Sequence, residues 1–299
     1  MKPLSLAHIS WLRPFAAYFA ERGVSLVPYL TAARIEEALV EHGDGWITKH
    51  QLYGFLNDLA VGEEMPEKGF VVGERLTPHT IGAIGEEVMG SATLGEAIGK
   101  FCRLVPRHVE NNRLWVVEDE RGEVWLFNEI MDRLPESDLA DHAGGMSLVN
   151  IVRLAAGDSW YPRRMSLQAG RTEAHRRFSG LRGCDVSFAA EATGVAFPAE
   201  LLLRPLSLED RPAPTSEGPD GLLVGGETFV EKLRVLLSGI VGVGGMLPSV
   251  HLAAEIANTS ARTLHRRLRE EEVAYQDLVD EVRYERATHL LATSDASVK

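Results

Sequence analysis

Apolar residues recur at helical spacing in two segments of the N-terminal half. One segment opens with Thr48 and Gln51, which have the spacing of a capping box. The other opens with Thr93 and Glu96 at the same spacing. The apolar residues after each pair share one helical face: Leu52, Phe55, Leu56 and Leu59, then Leu94, Ile98, Phe101 and Val105. Both segments are predicted to be helices, and a further helix is predicted to begin near Ser137.

Residues 113–130 show a different pattern, rich in β-branched and aromatic residues, with a turn-forming stretch at 119–122. This pattern predicts a β-hairpin. A weaker pattern of the same kind predicts a second hairpin in residues 184–197, and the N-terminal segment is predicted to be an amphipathic helix. Helices mixed with short antiparallel strands predict a helix-rich α+β domain over residues 1–207.

Residues 208–226 are rich in proline and glycine and have no apolar periodicity, which predicts a linker. All patterns after the linker are helical. The first predicted helix has an apolar stripe of Phe229, Leu233, Leu236 and Leu237. A second, short helix is predicted to be capped by Ser249. The last predicted helix has an apolar stripe of Tyr275, Leu278, Val282 and Leu290. Residues 227–299 are therefore predicted to form an all-α domain.

The short connection between the second and third of these segments has the signature of a helix-turn-helix. Asn258 stands where the chain reversal needs a positive φ, which asparagine tolerates better than most residues. Ala254 is small enough to let two helices approach, and Ser260 is a good N-cap for the helix that follows. On that helix Leu264 and Leu268 have i,i+4 spacing and are expected to face the core.

This spacing sends a cationic set, Arg262, His265, Arg266 and Arg269, to the opposite face. Arginine near the start of a helix can read guanine edges in the major groove, so the first three are expected at bases and Arg269 at the phosphate backbone. A solvated helix face is the alternative. The net charge of −12 requires any DNA contact to be concentrated on this face, with the acidic residues turned away.

The stretch "AAEIANTSARTLHRRLREEEVAYQDLVDEVRYERATHLLATSDASVK" resembles the DNA-binding domain of AraC/XylS-type transcription regulators. Residues 1–207, through "GFVVGERL" and "WYPRRMSL", resemble the arabinose-binding-type regulatory domain of one subgroup. The resemblance implies a ligand-responsive transcription regulator, and an activator is expected. Its expected partners are double-stranded promoter or operator DNA, a small-molecule effector, RNA polymerase and a second copy of the chain. The expected DNA-binding residues are Ser260, Arg262, Thr263, His265, Arg266 and Arg269.

The sequence departs from this family in three places. Thr259 replaces a larger aliphatic residue in the turn, and Glu272 replaces the glycine that usually follows the recognition helix. The glutamate is expected either to lengthen the helix or to cost strain. Residues 227–299 resemble only the first helix-turn-helix and the linking helix, so we expect an incomplete reader that binds DNA weakly unless it dimerises.

Trp115, Trp125 and Phe127 on the predicted hairpin are candidates for effector contacts, although aromatic residues on paired strands are more often core. No motif of a hydrolase, nucleotide-binding enzyme or metalloenzyme stands out, so we expect no enzyme activity, metal or cofactor. With only two cysteines and no apolar stretch long enough to span a membrane, a cytoplasmic protein is expected. The alternative function is a dimerising or small-molecule-binding module that titrates partners without binding DNA itself.

Overall fold

The computed structural model of the chain describes residues 3–62, 67–134, 137–206, 226–243 and 246–293. The helices before the linker are α1 (Arg13–Ala20), α2 (Val27–Ala32), α3 (Glu37–His42), α4 (Lys49–Gly62), α5 (Lys68–Gly73), α6 (Ala83–Met89), α7 (Leu94–His108), α8 (Asp138–Ala156) and α9 (Glu173–Arg177). The strands are β1 (Leu6–His8), β2 (Trp46–Thr48), β3 (Asn112–Glu118), β4 (Glu123–Ile130), β5 (Arg164–Ser166), β6 (Asp185–Ser187) and β7 (Thr193–Pro198). After the linker come α10 (Phe229–Gly242), α11 (Val250–Ile256), α12 (Ala261–Glu270) and α13 (Tyr275–Thr293). The helix-rich α+β architecture followed by helices is confirmed.

The main sheet has five strands in the order β3-β4-β7-β5-β6. The predicted hairpin of β3 and β4 is confirmed, with Trp115 opposite Phe127. Its turn is held by the Asp119 carboxylate, which accepts the backbone N–H groups of Arg121 at 2.9 Å and Glu123 at 3.1 Å. Alternate residues of β4 are buried, so one face of the strand packs on the helices and the other is half-exposed.

The second predicted hairpin is wrong, because β6 and β7 do not pair with each other. The short strand β5 lies between them, parallel to β6 and antiparallel to β7. Backbone groups just after β6 bond instead to the segment after β5, with Ala190 N donating to Leu167 O at 3.0 Å. The predicted N-terminal helix is also only partly right. Its first residues form β1, which pairs with β2, and α1 starts at Arg13.

The capping signals locate the starts of α4 and α7 as predicted. Thr48 N donates to Gln51 Oε1 at 2.9 Å and Gln51 N donates to Thr48 Oγ1 at 3.1 Å, a reciprocal box. At α7, Glu96 N donates to Thr93 Oγ1 at 3.3 Å, while the Glu96 carboxylate accepts Ala92 N at 2.9 Å. All eight apolar residues predicted to face the core from these helices are buried. The helix predicted near Ser137 is α8.

The described residues form two principal hydrophobic cores. One is made by residues between Ala7 and Leu206, and the other by residues between Val230 and Val282. The predicted stripe of α13 is buried at Tyr275 and at the two residues that follow it in the stripe, but Leu290 is 38% exposed. The predicted linker lies outside the described residues except for Gly226.

The helices after the linker pack on the first domain through α10 and the end of α11. A small apolar cluster joins the two parts and comprises Leu4, Leu6, Leu236, Ile256 and Ala257. Beside it, Lys232 Nζ lies 2.9 Å from the Glu110 carboxylate, and Thr48 Oγ1 donates to Ile256 O at 3.2 Å. Both contacts are made by α10 and α11, and the outward residues of α12 stay exposed.

Candidate nucleic-acid interface

The turn between α11 and α12 has the geometry that its sequence predicts. Asn258 has a φ of 49°, in the left-handed region where asparagine is tolerated. Thr259 N donates to Ala254 O and Asn258 N donates to Glu255 O, both at 2.9 Å. Ala254 is buried in the contact between the helices. The chain therefore reverses within a few residues and sets α12 against α11.

Ser260 caps α12. Its side chain accepts Thr263 N at 3.2 Å, and the Ser260 and Thr263 hydroxyls are 2.9 Å apart. This bond satisfies one of the N–H groups that an unpaired helix start leaves open. Two residues of the predicted DNA-binding set thus also hold the start of the helix, and neither is buried.

The two faces of α12 divide as the leucine spacing predicts. Leu264 and Leu268 are 0% and 1% exposed and belong to the second core. The other side of the helix is exposed and carries Arg262, His265, Arg266 and Arg269. The structure therefore brings the four predicted base and phosphate contacts together on one solvent-facing surface, called here the reading face.

Two arginines of α12 have protein partners. Arg266 forms an exposed ion pair with Glu270, one helical turn further along, at 2.6 Å. An acidic side chain therefore lies beside the reading face. An exposed pair of this kind is worth about 0–1 kcal/mol, which a phosphate or base contact can replace. Arg267 lies over the Phe229 ring at 4.8 Å, and burial lowers its pKa. We infer that Arg267 mainly packs α12 against α10.

The glutamates after α12 have separate structural roles. Glu271 Oε1 accepts the N–H groups of Phe229 at 3.1 Å and Val230 at 3.4 Å, so it supplements the Thr228 cap of α10. No local sequence signal indicates this cap, because its partners are far away in the chain. Glu272 has a φ of 59°, and α12 ends at Glu270. Of the two consequences expected for glutamate at a glycine position, the structure shows backbone strain.

The candidate effector residues Trp115, Trp125 and Phe127 come together on the half-exposed face of the sheet. The Phe127 ring stacks on Trp115 and Trp125 at centroid distances of 5.2 and 5.4 Å. Gly194 on β7 leaves room for this, since a Cβ there would lie 2.4 Å from Phe127 Cδ1. Arg164 lies over the Trp125 ring at 5.2 Å. These three residues form an outer aromatic face, and an effector contact there stays a prediction.

Other chemistry is sparse in the part of the chain that the structure describes. There, no three His, Cys, Asp or Glu residues are grouped where they could hold a metal ion. Burial raises the pKa of the Cys102 thiol to about 11 and of the Cys184 thiol to about 12, which disfavours the reactive thiolate. None of the described helices has the length and apolar character to cross a bilayer.

Residues 23–206 match the family model described as the arabinose-binding domain of AraC transcription regulator, N-terminal. The chain is 27% identical over 301 residues to an ornithine utilization regulator of Pseudomonas aeruginosa, covering 97% of this chain and 86% of that protein. The solved structure of the transcriptional regulator CdpR from Pseudomonas aeruginosa aligns with 93% of this chain and 87% of its own, at 18% identity and a TM-score of 0.42.

Proposed function

This chain belongs to the AraC family of transcription regulators, and on that premise we propose that it is a ligand-responsive regulator that binds promoter or operator DNA in a sequence-specific manner. In this proposal residues 1–207 form the domain that senses the ligand and dimerises, and residues 227–299 form the domain that binds DNA. Residues 208–226 link the two domains. Helix α12 enters the major groove by its reading face, with Ser260 and Thr263 at the entry point.

The observation that carries the proposal is the division of α12 into a buried leucine face and an exposed cationic face after a left-handed Asn258. A solvated surface helix needs neither the tight turn nor its close packing on a preceding helix. A helix that enters a groove needs both, because the preceding helix supports it while its outer face stays free.

We extend the proposal to the effector and the partners. The name of the Pseudomonas relative connects that protein with ornithine utilization; for this chain we propose a small-molecule effector without carrying over ornithine. We propose that the chain acts as an activator of RNA polymerase, as a homodimer and in the cytoplasm, and that it is not an enzyme. We also propose that dimerisation adds the phosphate contacts that one copy of α12 does not make by itself.

One observation favours a second candidate function. The chain has a net charge of −12, and Glu270 lies on the reading face beside Arg266. Negative charge near phosphates opposes binding. A module that dimerises or binds a small molecule, and titrates partners without contacting DNA, is therefore the alternative.

Arg266→Ala in the full chain tests the proposal. Duplexes are first selected from a random pool by the wild-type protein, and their affinity is then measured by gel shift at several salt concentrations. A base-contacting arginine is worth about 1–3 kcal/mol, so affinity should fall about 5- to 150-fold. The matched control is Arg283→Ala, which removes an exposed arginine on α13 that pairs with Asp280 and should bind like wild type.

Equal affinity of the two variants would show that the reading face does not bind DNA. Failure to enrich any sequence, together with a dimer in light scattering, would favour the titrating module. The salt dependence separates base readout from phosphate attraction, because only phosphate contacts make the affinity fall steeply with salt.

A further inference from the structure

A cavity of about 60 Å³ lies inside the first domain, between α4, α7, α8 and the β3–β4 hairpin. Most of its wall is apolar. The wall residues with a polar side-chain group are Trp11, Tyr53, Asn112, Asn128 and Ser147. Among the described residues that line it, no side chain is charged. The outer aromatic face is not part of this wall.

The orientation of two wall amides follows from a buried lysine. Lys49 is 2% exposed and donates to Asn112 Oδ1 at 3.1 Å. An ammonium group can only donate, so Asn112 must turn its oxygen to Lys49 and its Nδ2 the other way. Asn112 Nδ2 then donates to Asn128 Oδ1 at 3.1 Å. The Asn128 side chain is thereby fixed with its oxygen used and its NH₂ group directed elsewhere.

That NH₂ group has no acceptor among the described residues, although Asn128 is only 7% exposed. It lies beside Gly144, another wall residue, where an added Cβ would come within 3.3 Å of Asn128 Nδ2. Trp11 also lines the cavity, and its Nε1 is buried with no partner in the described part of the chain. Polar side-chain groups in a protein interior are normally hydrogen-bonded, so the Asn128 NH₂ group beside the cavity is a donor that a bound molecule could use.

We propose that this cavity is a binding site for a small neutral molecule with an apolar body and one acceptor oxygen, such as a short-chain ketone, alcohol or primary amide. The oxygen accepts from the Asn128 NH₂ group, and the apolar body contacts side chains such as Phe101 and Leu148. A volume of about 60 Å³ holds roughly four or five non-hydrogen atoms, at about 10–15 Å³ for each water-sized group. Carboxylates and ammonium ions are excluded because burying an unpaired charge is costly.

A chain of polar contacts runs from the cavity wall to the contact between the two parts of the molecule. Lys49 also donates to Glu110 O at 2.9 Å, and the Glu110 carboxylate pairs with Lys232 of α10. A ligand that shifts the Asn128 and Asn112 side chains would therefore also shift Lys49 and Glu110. The Glu110 carboxylate is the partner of Lys232 on α10. The role of this ligand as the effector rests on the proposed function. The existence of the binding site does not depend on it.

The binding test uses the full chain, with butan-2-one as the neutral probe and isobutyrate as an anion of similar size. Affinities are measured by saturation-transfer NMR. Gly144→Ala places a methyl group against the Asn128 donor and should weaken butan-2-one binding by about tenfold or more. The matched control is Gly54→Ala on α4, where a Cβ meets nothing within 4 Å, and it should bind like wild type. Isobutyrate should not bind.

A second pair of variants tests the site independently, in case Gly144→Ala fails to fold. Thermal unfolding is recorded for every variant. Ala140→Leu fills the cavity from α8 and should abolish binding, whereas Ala156→Leu, on the same helix but outside the wall, should not.

Several outcomes would overturn the site: no saturable binding of butan-2-one to the wild type, equal binding by wild type and Gly144→Ala, or equal binding of isobutyrate. Binding that survives Gly144→Ala but is lost in Trp125→Ala would overturn the cavity in favour of the outer aromatic face. Gel shifts with and without butan-2-one separate the two proposals. Ligand binding that leaves the DNA affinity unchanged supports the site and overturns its role as the effector site.

Discussion

The reading face of α12 and the cavity of the first domain are opposite kinds of binding surface. The reading face is exposed and cationic and lies on a single helix, while the cavity is mostly apolar and uncharged and takes its wall from helices and strands far apart in the chain. Phosphates and base edges attract exposed cations, and a small neutral ligand is held by apolar contacts and a few placed polar groups instead. The means of recognition therefore determines how much of the chain is needed to build a site.

The two regions also differ in how much core supports them. The core between Val230 and Val282 is formed by few residues, whereas the core between Ala7 and Leu206 includes most of the buried side chains of the first domain. A small core contributes little unfolding free energy in total. A single core substitution is therefore expected to destabilise the helical part more than the cavity region.

The largest loss of stability is expected for Leu264→Ala, which should destabilise the helical part and leave the cavity region folded. Leu264 is fully buried in the smaller core, and removing such a side chain costs about 2–5 kcal/mol of unfolding free energy. Urea unfolding followed by circular dichroism should show early loss of the helical part, with butan-2-one binding retained. The control His265→Ala changes an exposed neighbour and should leave stability within about 0.5 kcal/mol. Joint unfolding of both regions would show that the contact through α10 couples their stability and would contradict this prediction.

Acid is expected to act on the first domain through His108. Burial lowers the pKa of His108 to about 3 from its ordinary value of 6.5. Between these pH values the unfolded chain binds a proton that the folded chain does not, so stability falls as the pH falls through this window. The slope is about 1.4 kcal/mol per pH unit.

His108→Phe keeps a ring at the site and removes the titration, so the fall in stability from pH 6.5 to 4.5 should become shallower. Denaturant unfolding at several pH values measures it. The exposed His79 provides the control His79→Phe, which should keep the wild-type slope. His142, whose pKa burial lowers to about 4, accounts for part of the slope that remains. An unchanged slope in His108→Phe would contradict the assignment.

Ser260→Ala sharpens the comparison because Ser260 belongs to both the fold and the predicted DNA contacts. Loss of its bond to Thr263 N should cost about 1 kcal/mol of stability, and DNA affinity should fall as well. Ser249→Ala removes the equivalent cap of α11, where the bond to Leu252 N is 3.3 Å, and should lower stability alone. If both variants lose DNA affinity equally, Ser260 acts only through the fold. Thermal unfolding and gel shifts measure the two effects.

The smallest effect is expected for Glu272→Gly, which relieves the positive φ after α12. Glycine adopts this conformation without strain, so the helical part should gain about 0.5–1 kcal/mol. Glu270→Gly places glycine inside α12 and should lose about as much, because glycine is a poor helix former. A loss of stability in Glu272→Gly would show that the glutamate side chain has a contact worth more than the strain. Thermal unfolding decides between these results.

Features that depend on neighbouring residues were predictable from the sequence. The capping box at Thr48, the N-cap at Thr93, the β3–β4 hairpin and the left-handed Asn258 depend on bonds or contacts within a few residues. The hairpin predicted for residues 184–197 was wrong because strand pairing is not local. The intervening strand β5 is only Arg164–Ser166, too short to have a recognisable pattern.

The character of α12 follows from local sequence alone, because its leucine spacing, its cap and its exposed cations are set within one turn-and-helix unit. Long-range packing creates the cavity, the docking of α10 on Glu110, the Glu271 contacts at the start of α10 and the amide orientation at Asn128. Each of these depends on groups that are brought together by packing of distant segments. Periodicity shows which face of a helix is buried, but not what that face meets.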